Sequence, residues 1–337
     1  MAATIKDVAK TAGVSTATVS AVMNESAYVS PALRARVQEA VRDLGYEPSQ
    51  LARRLRTGAS ELIAIVVADL SNPFYARVVC AAEAAVAAWG FSLVVFNSDE
   101  KPEAEKRIRL RVRTLSCDGL ILVPVGGEAL APSRDSDGRR IPTVLFGRTL
   151  QEDGLDAVTI DNVAASCQAT NYLIDLGHKR IGAITGPERL STGRARLEGM
   201  QAAMSAKGLT LEPRFVRSGD FREEAAYSAA RALLEQSERP TALYVANGLM
   251  ALGVMRAIAD AGLRCPEDVS VASTDNIPGI RGLRPSLTRT EHPIVDMVNE
   301  AVRLLVDRMK RAEAVEARHV VFPSALVVGD SCAPLRG

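Results

Sequence analysis

The sequence predicts an all-α segment over about the first 60 residues, followed by two α/β lobes built on parallel sheets. Helix signals and no convincing strand occupy the first 60 residues, whereas from residue 62 near-continuous apolar runs alternate with amphipathic helices. Apolar strands separated by helices are typical of parallel sheets covered on both faces. At 337 residues the chain is too long for one small core, which favours two or three folding units.

The first two helices are predicted from their boundary residues. Thr4 followed by Asp7 resembles a capping box, and Gly13 ends that helix because glycine adopts the left-handed conformation readily. Ser15 can cap a second helix over residues 16–23. Two short helices joined by such a tight turn predict a helix-turn-helix.

Two further segments complete the N-terminal region. Ser30-Pro31 predicts an N-cap and first helical position, and Gly45 ends this third helix. Pro48-Ser49 then opens a short segment over 50–57, which Gly58 closes.

Apolar residues would lock the first two helices together, and they are Ile5, Val8, Ala9, Val14, Val19 and Val22. This leaves small residues exposed near the start of the second helix, namely Ser15, Thr16, Ala17, Thr18 and Ser20. Small side chains there allow a helix to enter the DNA major groove, and its N-terminus can face a phosphate. The alternative is a helical bundle in which the Ser and Thr residues are only caps.

Strands and helices alternate in the remainder of the chain. The predicted strands are 62–68, 91–97, 120–125, 143–146, 158–160, 180–185, 215–218, 242–246 and 269–273. The helices between them include 75–89, 164–176, 194–207, 222–236 and 249–261. This series is too long for one comfortable sheet, so we expect two consecutive lobes with a boundary near residue 161.

Composition and charge indicate an ordinary soluble protein. The chain contains 47% hydrophobic and 24% charged residues, and its start, MAATIKDVAK, lacks the apolar core of a signal peptide. No run reaches the ~18 apolar residues of a membrane span. We therefore expect a cytoplasmic protein with no membrane contact. Residues 1–60 hold eight basic and five acidic residues, a modest basic excess compatible with nucleic-acid binding.

Cysteines, histidines and catalytic motifs favour a binding protein over an enzyme. The five cysteines, at 80, 117, 167, 265 and 332, form no CxxC pair, and we expect reduced, buried thiols. The histidines, at 178, 292 and 319, are far apart, and we expect a structural role for His178. P-loop, GxSxG and HExxH motifs are missing, so we expect no catalytic residue, cofactor or metal.

The N-terminal segment resembles the headpiece of the LacI/GalR family of transcription regulators. The resemblance lies in TIKDVAKTAGVSTATVSAVMN and YVSPALRARVQEAVRDLGYEPSQLARRLRTG, and it continues through the whole chain. It implies that Thr16 and Ala17 face base edges, whereas Thr18 and Ser20 contact phosphates and sugars. The candidate DNA-binding residues implied are Thr4, Ser15, Thr16, Ala17, Thr18, Ser20, Asn24, Tyr28, Ala52, Leu55 and Arg56. Ala21 departs from the family, which usually has an arginine there that contacts a base, so the operator sequence stays open.

Residues 49–58 resemble the hinge helix of the family. There Leu55, with Ala52 beside it, would wedge into the minor groove, and Arg56 can meet a phosphate. So short a helix is unstable alone, which suits a switch that forms on DNA. Alternatively, Leu51 and Leu55 only pack on the body.

The body resembles periplasmic sugar-binding proteins, the relatives of the family's regulatory domain. The matching signatures are DLSNPF from Asp69, GHKRIGAITGP, RLEG from Arg196, VANGLMALGVMRAI and PEDVSVASTDN. The effector-binding residues implied are Asp69, Asn72, Phe74, Arg148, Arg196, Asn247 and Asp275, although each could instead form a surface salt bridge or a helix cap. Thr274, Gly248 and Gly147 replace residues common in the family, which leaves a sugar, sugar acid, nucleoside or phosphorylated effector open.

The resemblance as a whole implies an N-terminal all-α helix-turn-helix headpiece with a hinge helix and a two-lobed, periplasmic-binding-protein-like α/β effector domain. We expect a DNA-binding headpiece over 1–48, a hinge helix over 49–58 and an effector-binding and dimerisation domain over 60–337. The expected partners are double-stranded operator DNA, a small-molecule effector and a second copy of the chain. The effector would alter operator affinity, with induction and corepression both open. A solute-binding protein, a sugar-converting enzyme and an effector-independent DNA binder are the alternatives.

Overall fold

The computed structural model describes residues 3–24, 27–46, 60–126, 138, 140–150, 154–276, 284–310 and 316–335. The chain divides into two compact units, Met1–Ser60 and Glu61–Gly337. The hinge helix predicted for 49–58, with Ala52, Leu55 and Arg56, lies outside the described residues.

The described part of the N-terminal unit contains three helices: α1 (Ile5–Ala12), α2 (Thr16–Asn24) and α3 (Pro31–Leu44). The capping box of Thr4 and Asp7 is confirmed, and Gly13 ends α1 in the left-handed region with φ of 61°. A side chain at Gly13 would also approach the Arg36 guanidinium to 2.7 Å. Ser30 precedes α3 as predicted but makes no side-chain cap hydrogen bond.

The core of this unit contains the apolar residues that the sequence singled out. Val8, Ala9, Val19 and Val22 are buried, and Val37 and Ala40 of α3 complete the cluster. Ile5 and Val14 pack against it while remaining partly accessible. The third helix therefore covers the crossing of α1 and α2.

The first lobe of the larger unit is a six-stranded sheet in the order β11-β5-β4-β3-β1-β2. Its strands are β1 (Leu62–Val67), β2 (Ser92–Asn97), β3 (Gly119–Leu122), β4 (Thr143–Phe146), β5 (Asp156–Ile160) and β11 (His319–Phe322). Its helices are α4 (Pro73–Ala87), α5 (Pro102–Thr114) and α10 (Ile294–Lys310). All pairings are parallel, and β1 is buried along nearly its whole length because helices cover both faces.

The second lobe repeats this sheet in the order β12-β10-β9-β8-β6-β7. Its strands are β6 (Ile181–Thr185), β7 (Val216–Ser218), β8 (Ala242–Val245), β9 (Ser270–Thr274), β10 (Thr288–Glu291) and β12 (Ala325–Val327). Its helices are α6 (Asn162–Asp175), α7 (Ser191–Ala206), α8 (Glu223–Leu234), α9 (Gly248–Asp260) and a 3₁₀ turn at Pro213–Phe215. Among the described strands of this sheet, only the edge pairing of β10 with β12 is antiparallel.

The lobes are not consecutive along the chain, contrary to the prediction of one boundary near residue 161. The chain crosses there from β5 to α6, returns after β10 so that α10 packs on the first lobe, and crosses again between β11 and β12. The apolar face of α10 fills the core of the first-lobe sheet, which explains the return. We refer to the three crossings between the lobes, 160–162, 291–294 and 322–325, as the hinge, which is distinct from the hinge helix predicted for 49–58.

Two further findings concern single side chains. None of the five cysteines forms a disulfide, but the expectation that they are buried is correct only for Cys117, because Cys167, Cys265 and Cys332 are half-buried and Cys80 lies on the exposed face of α4. His178 is buried and bonds to Thr241, Ser270 and the carbonyl of Ala333, which confirms its structural role. Within the described residues, the helices are too short or too polar to cross a membrane.

Candidate ligand cleft and nucleic-acid interface

The start of α2 presents small side chains to solvent. Ser15, Thr16 and Ala17 are exposed, and Thr18 and Ser20 are half-buried. Ser15 caps α2, since its hydroxyl accepts a hydrogen bond from the Thr18 amide at 3.1 Å. The helix N-terminus is therefore free to approach a negatively charged group without obstruction by a long side chain.

Three other candidate DNA contacts lie around this helix. The Thr4 hydroxyl is 2.7 Å from Asp7 Oδ2, so Thr4 has a capping role at α1 in addition to any contact with DNA. Tyr28, in the connection between α2 and α3, is 92% exposed and so is accessible to a partner. Asn24 is the last residue of α2.

All seven predicted effector-binding residues line one cavity between the two lobes. The cavity holds about 600 Å³ of space between atoms, part of it open to solvent. Asp69, Arg148, Asn247 and Asp275 lie just beyond the carboxyl ends of strands, and Arg196 projects from α7. This edge is where parallel α/β sheets place ligands.

Asp69 forms an ion pair across the cleft. Its Oδ2 accepts a hydrogen bond from Arg222 Nη1 at 2.8 Å, and Arg222 belongs to the second lobe. The same guanidinium donates to the Asp99 side chain at 2.8 Å and to its carbonyl at 3.0 Å. Ser71 occupies the other oxygen of Asp69. The carboxylate of Asp69 is thus used to hold the lobes together.

Arg148 is neutralised inside the first lobe. It donates two hydrogen bonds to Glu100, at 2.6 and 2.8 Å, and one to the Pro124 carbonyl. Burial opposes the charge of Arg148, but the electrostatic effects of Tyr75, Glu100 and Glu105 outweigh it, and the pKa of Arg148 is raised. Arg148 also lies over the Phe221 ring, 5.6 Å from its centroid.

Asn72 and Asn247 both cap helices that start at the cleft. The Asn72 oxygen accepts from the Phe74 amide at 3.0 Å, and the Asn247 oxygen accepts from the Met250 amide at 2.8 Å. The cap alternative is therefore correct for these oxygens. The two side-chain NH₂ groups have no hydrogen-bond partner among the described residues, which leaves donors for a ligand.

Arg196 and Asp275 are the buried charged groups of the second lobe. Arg196 donates to Asn162 Oδ1 at 2.8 Å and to the Ala246 carbonyl at 2.5 Å, and burial lowers its pKa. Asp275 has φ of 84° and accepts from the Asn276 amide. Burial raises the pKa of Asp275 to about 7, although Arg196 acts in the opposite direction.

The sequence analysis missed several cleft residues, among them Glu100, Thr192, Phe221 and His292. Glu100 and Phe221 occupy equivalent loops, after β2 and β7, and both have positive φ. Their surrounding sequences, SDEK and GDFR, look like solvated turns, but Glu100 pairs with Arg148 of its own lobe and Phe221 packs in the core of the second lobe. Thr192 could have been suspected, because it lies four residues before Arg196 and shares its helix face.

Comparison with known proteins supports the resemblance seen in the sequence. Residues 4–49 match the model of bacterial regulatory proteins of the lacI family, and residues 170–332 match a periplasmic binding protein-like domain. The ribose operon repressor of Escherichia coli (strain K12) is 35% identical over 98% of this chain and 100% of its own length.

Solved structures of transcription regulators are also similar to this chain. A structure of the lac repressor dimer bound to operator and the anti-inducer ONPF superimposes with a TM-score of 0.85 at 26% identity, over 99% of this chain and 100% of that one. A complex of the transcriptional regulator CelR with cellobiose is 32% identical with a TM-score of 0.71, over 98% and 99% of the two chains.

Proposed function

The chain belongs to the LacI family of bacterial regulatory proteins, and from this premise we propose that it is a transcriptional repressor whose affinity for operator DNA is set by a small hydroxylated effector. The observation that supports this most strongly is the union in one chain of an exposed helix-turn-helix and a polar cleft between two lobes. The similar E. coli protein is a ribose operon repressor, a regulator rather than an enzyme.

We propose that α2 enters the major groove with Thr16 and Ala17 at base edges. Their small side chains offer few hydrogen bonds, so apolar contact with thymine methyl groups would contribute to recognition. Two copies of the chain would bind a pseudo-palindromic operator, with one α2 helix in each half-site. The segment 49–58, with Ala52, Leu55 and Arg56, would contact the minor groove between them.

The charge balance of the cleft favours a neutral, hydroxyl-rich effector. Arg148 is paired with Glu100, and Asp69 with Arg222, so neither pair offers an unbalanced charge. The remaining polar groups are the Asn72 and Asn247 amides, Thr192, Arg196, Asp275 and His292. Such a mixture of donors and acceptors suits several hydroxyls, and Phe74 supplies an apolar surface for a sugar face. The proteins compared above include a ribose operon repressor and a complex with cellobiose.

We propose that the effector acts by changing how closely the lobes approach each other. It would contact both lobes at once, and each conformation of the lobes would set a different spacing of the two segments 49–58 in the dimer. Coupling of this kind typically amounts to about 1–3 kcal/mol, or roughly 5–150-fold in affinity.

Selection of genomic DNA fragments by the full chain tests the regulator. The unaltered chain should enrich one pseudo-palindromic sequence, and Thr16→Glu should abolish enrichment because it places a carboxylate at the groove. Glutamate is favourable in a first helical turn, so the headpiece should remain folded. Gln38→Glu, which puts the same charge on an exposed position of α3, is the control. Equal enrichment by unaltered and Thr16→Glu chains would contradict the proposal.

A further inference from the structure

His292 occupies the hinge crossing between β10 of the second lobe and α10, which packs on the first lobe. Its side chain is 2% exposed, and its ring lines the cleft. The ring also packs edge-to-face with Phe74 of the first lobe, with centroids 6.3 Å apart. This one side chain therefore contacts the cavity and the hinge at the same time.

The two ring nitrogens of His292 have different surroundings. Nδ1 is 3.0 Å from the Ser324 hydroxyl, and Ser324 lies in the third hinge crossing, between β11 and β12. This hydrogen bond joins two of the three crossings. Nε2 is buried and has no hydrogen-bond partner among the described residues. The nearest acidic atom, Asp275 Oδ1, is 3.9 Å away, which is too far for a hydrogen bond.

Buried polar atoms in folded proteins nearly always have a partner, so an unpaired one calls for an explanation. Six buried side-chain atoms have no partner in the described part of the chain, and two of them belong to residues that line this cleft: His292 Nε2 and Thr192 Oγ1, on the α7 side. Two such atoms from different elements facing one cavity indicate that the missing partner is a molecule bound in that cavity.

We propose that His292 binds the effector through Nε2 and transmits its presence to the hinge through the Nδ1–Ser324 hydrogen bond. This rests on the proposed function, since it requires an effector in the cleft. A hydroxyl oxygen can lie about 2.8 Å from both His292 Nε2 and Asp275 Oδ1, given their separation of 3.9 Å. That hydroxyl would donate to the carboxylate and accept from the imidazole N–H, which assigns this corner of the cleft to one hydroxyl of the effector.

Three substitutions separate the roles of the two nitrogens. His292→Asn keeps a polar group near the position of Nδ1 but removes the one that faces the cavity. Ser324→Ala keeps Nε2 and removes the hinge hydrogen bond. His178→Asn is the matched control for a structural histidine, because both nitrogens of His178 already have partners within the protein.

The first measurement is the thermal unfolding midpoint of each full chain without any additive. His292→Asn removes the packing of the ring on Phe74 but breaks no hydrogen bond of Nε2, so it should lower the midpoint much less than His178→Asn, which leaves several protein groups unpaired. His178→Asn should lower it clearly. If His292→Asn destabilises the empty chain as much as His178→Asn does, His292 is structural and the proposal is overturned.

The second measurement is calorimetric titration with D-ribose and with cellobiose. For whichever sugar binds the unaltered chain, His292→Asn should weaken binding at least about 10-fold, since a buried acceptor then loses its donor. Ser324→Ala should change sugar affinity less than about threefold. It should, however, reduce the factor by which the sugar changes DNA affinity by about threefold or more. Unchanged sugar affinity in His292→Asn would overturn the proposal.

The two proposals fail in different ways. If neither sugar binds the unaltered chain, the proposed effector class is wrong, whereas the stability of the empty His292→Asn chain still decides whether Nε2 has a structural role. If a sugar binds the unaltered and the His292→Asn chains equally, the proposed effector class is supported and the proposed role of His292 is wrong.

Discussion

The two lobes have the same strand order but contribute differently to the cleft. The charged groups of the first lobe are already occupied, since Arg148 is bound by Glu100 and Asp69 is bound by Arg222. In the second lobe, Arg196 and Asp275 face the cavity without a hydrogen bond between them in the described residues. In the proposed function, the charged groups of the second lobe would therefore bind the effector and the first lobe would close over it.

The helix-turn-helix and the cleft differ in a related way. Ser15, Thr16 and Ala17 at the start of α2, which we propose to face DNA, are small and exposed. The cleft residues are buried and held by backbone groups, as with Asn247 at the start of α9 and Arg196 on the Ala246 carbonyl. Preorganisation of this kind lowers the cost of binding a small molecule.

The largest expected effect comes from breaking the buried ion pair of the first lobe. Glu100→Ala leaves Arg148 charged and buried, which should lower the free energy of unfolding of residues 61–337 by about 3–5 kcal/mol. Urea unfolding followed by circular dichroism measures this. Glu212→Ala, which breaks a half-exposed pair with Arg214, should cost less than ~1 kcal/mol. Equal losses in the two variants would show that Arg148 does not depend on Glu100.

The second prediction concerns the ligand-binding role of the second lobe. Arg196→Met should weaken binding of an effector sugar about 100-fold, or roughly 2.7 kcal/mol, because a buried cation with fixed donors is lost. Arg194→Met, on the same helix but exposed, is the control and should change affinity less than about threefold. Titration calorimetry compares them. If Arg196→Met binds the sugar within threefold of the unaltered affinity, the second lobe does not supply the main charged contact to the effector.

The third prediction uses the protons of Asp275 and His292. Burial raises the pKa of Asp275 to about 7 and lowers that of His292 to about 3. A raised carboxyl pKa makes the folded state less stable as pH rises from about 4 to 7, and a lowered histidine pKa makes it more stable as pH rises from about 3 to 6.5. The two effects nearly cancel, since the pair holds about one proton in both states between pH 4 and 6.5.

Each variant should therefore show how the unfolding free energy depends on pH through the titrating group that remains. Between pH 4.5 and 6, Asp275→Asn should gain stability with rising pH and His292→Asn should lose it, each by up to ~1.4 kcal/mol per pH unit relative to the unaltered chain. Arg196, Arg77 and Glu291 also act on Asp275 but are unchanged in both variants. Urea unfolding at several pH values provides the slopes, and parallel profiles for the three chains would contradict the assignment.

The smallest expected effect is on closure. Arg222→Gln removes the cross-lobe ion pairs to Asp69 and Asp99 and should weaken sugar binding about 5–10-fold, with less than ~1 kcal/mol lost in unfolding free energy because Arg222 is partly exposed. Arg214→Gln, whose ion pairs lie within the second lobe, should leave sugar affinity unchanged. Tighter binding in Arg222→Gln would mean that the ion pairs hold the lobes against the effector.

Local pattern predicted much of the fold. Strands such as Leu62–Val67 are apolar throughout, and Gly13 and Gly45 mark helix ends. The elements after β9, namely β10, α10, β11 and β12, were missed. The strand β10 is short and polar, TRTE, and it becomes a strand only by pairing with β9. The position of the hinge therefore depends on tertiary pairing rather than on local sequence.

The candidate cleft shows a similar limit. Family resemblance, and not residue pattern, brought Asp69 and Asp275 together across about 200 positions of sequence. His292 lacked any local signal, because its importance comes from an unpaired nitrogen that exists only once both lobes surround it. Whether a single polar atom is buried without a partner depends on how the two lobes pack, and local sequence does not show it.

The most direct test of effector-controlled DNA binding is the affinity of the full chain for its effector sugar with and without a saturating amount of the selected operator DNA. Thermodynamic linkage requires the operator to change sugar affinity by the same factor by which the sugar changes operator affinity, and we expect about 5–150-fold. The sign of the change distinguishes induction from corepression. Identical sugar affinities with and without operator would show that the cleft and the headpiece are uncoupled, which would contradict the proposed function.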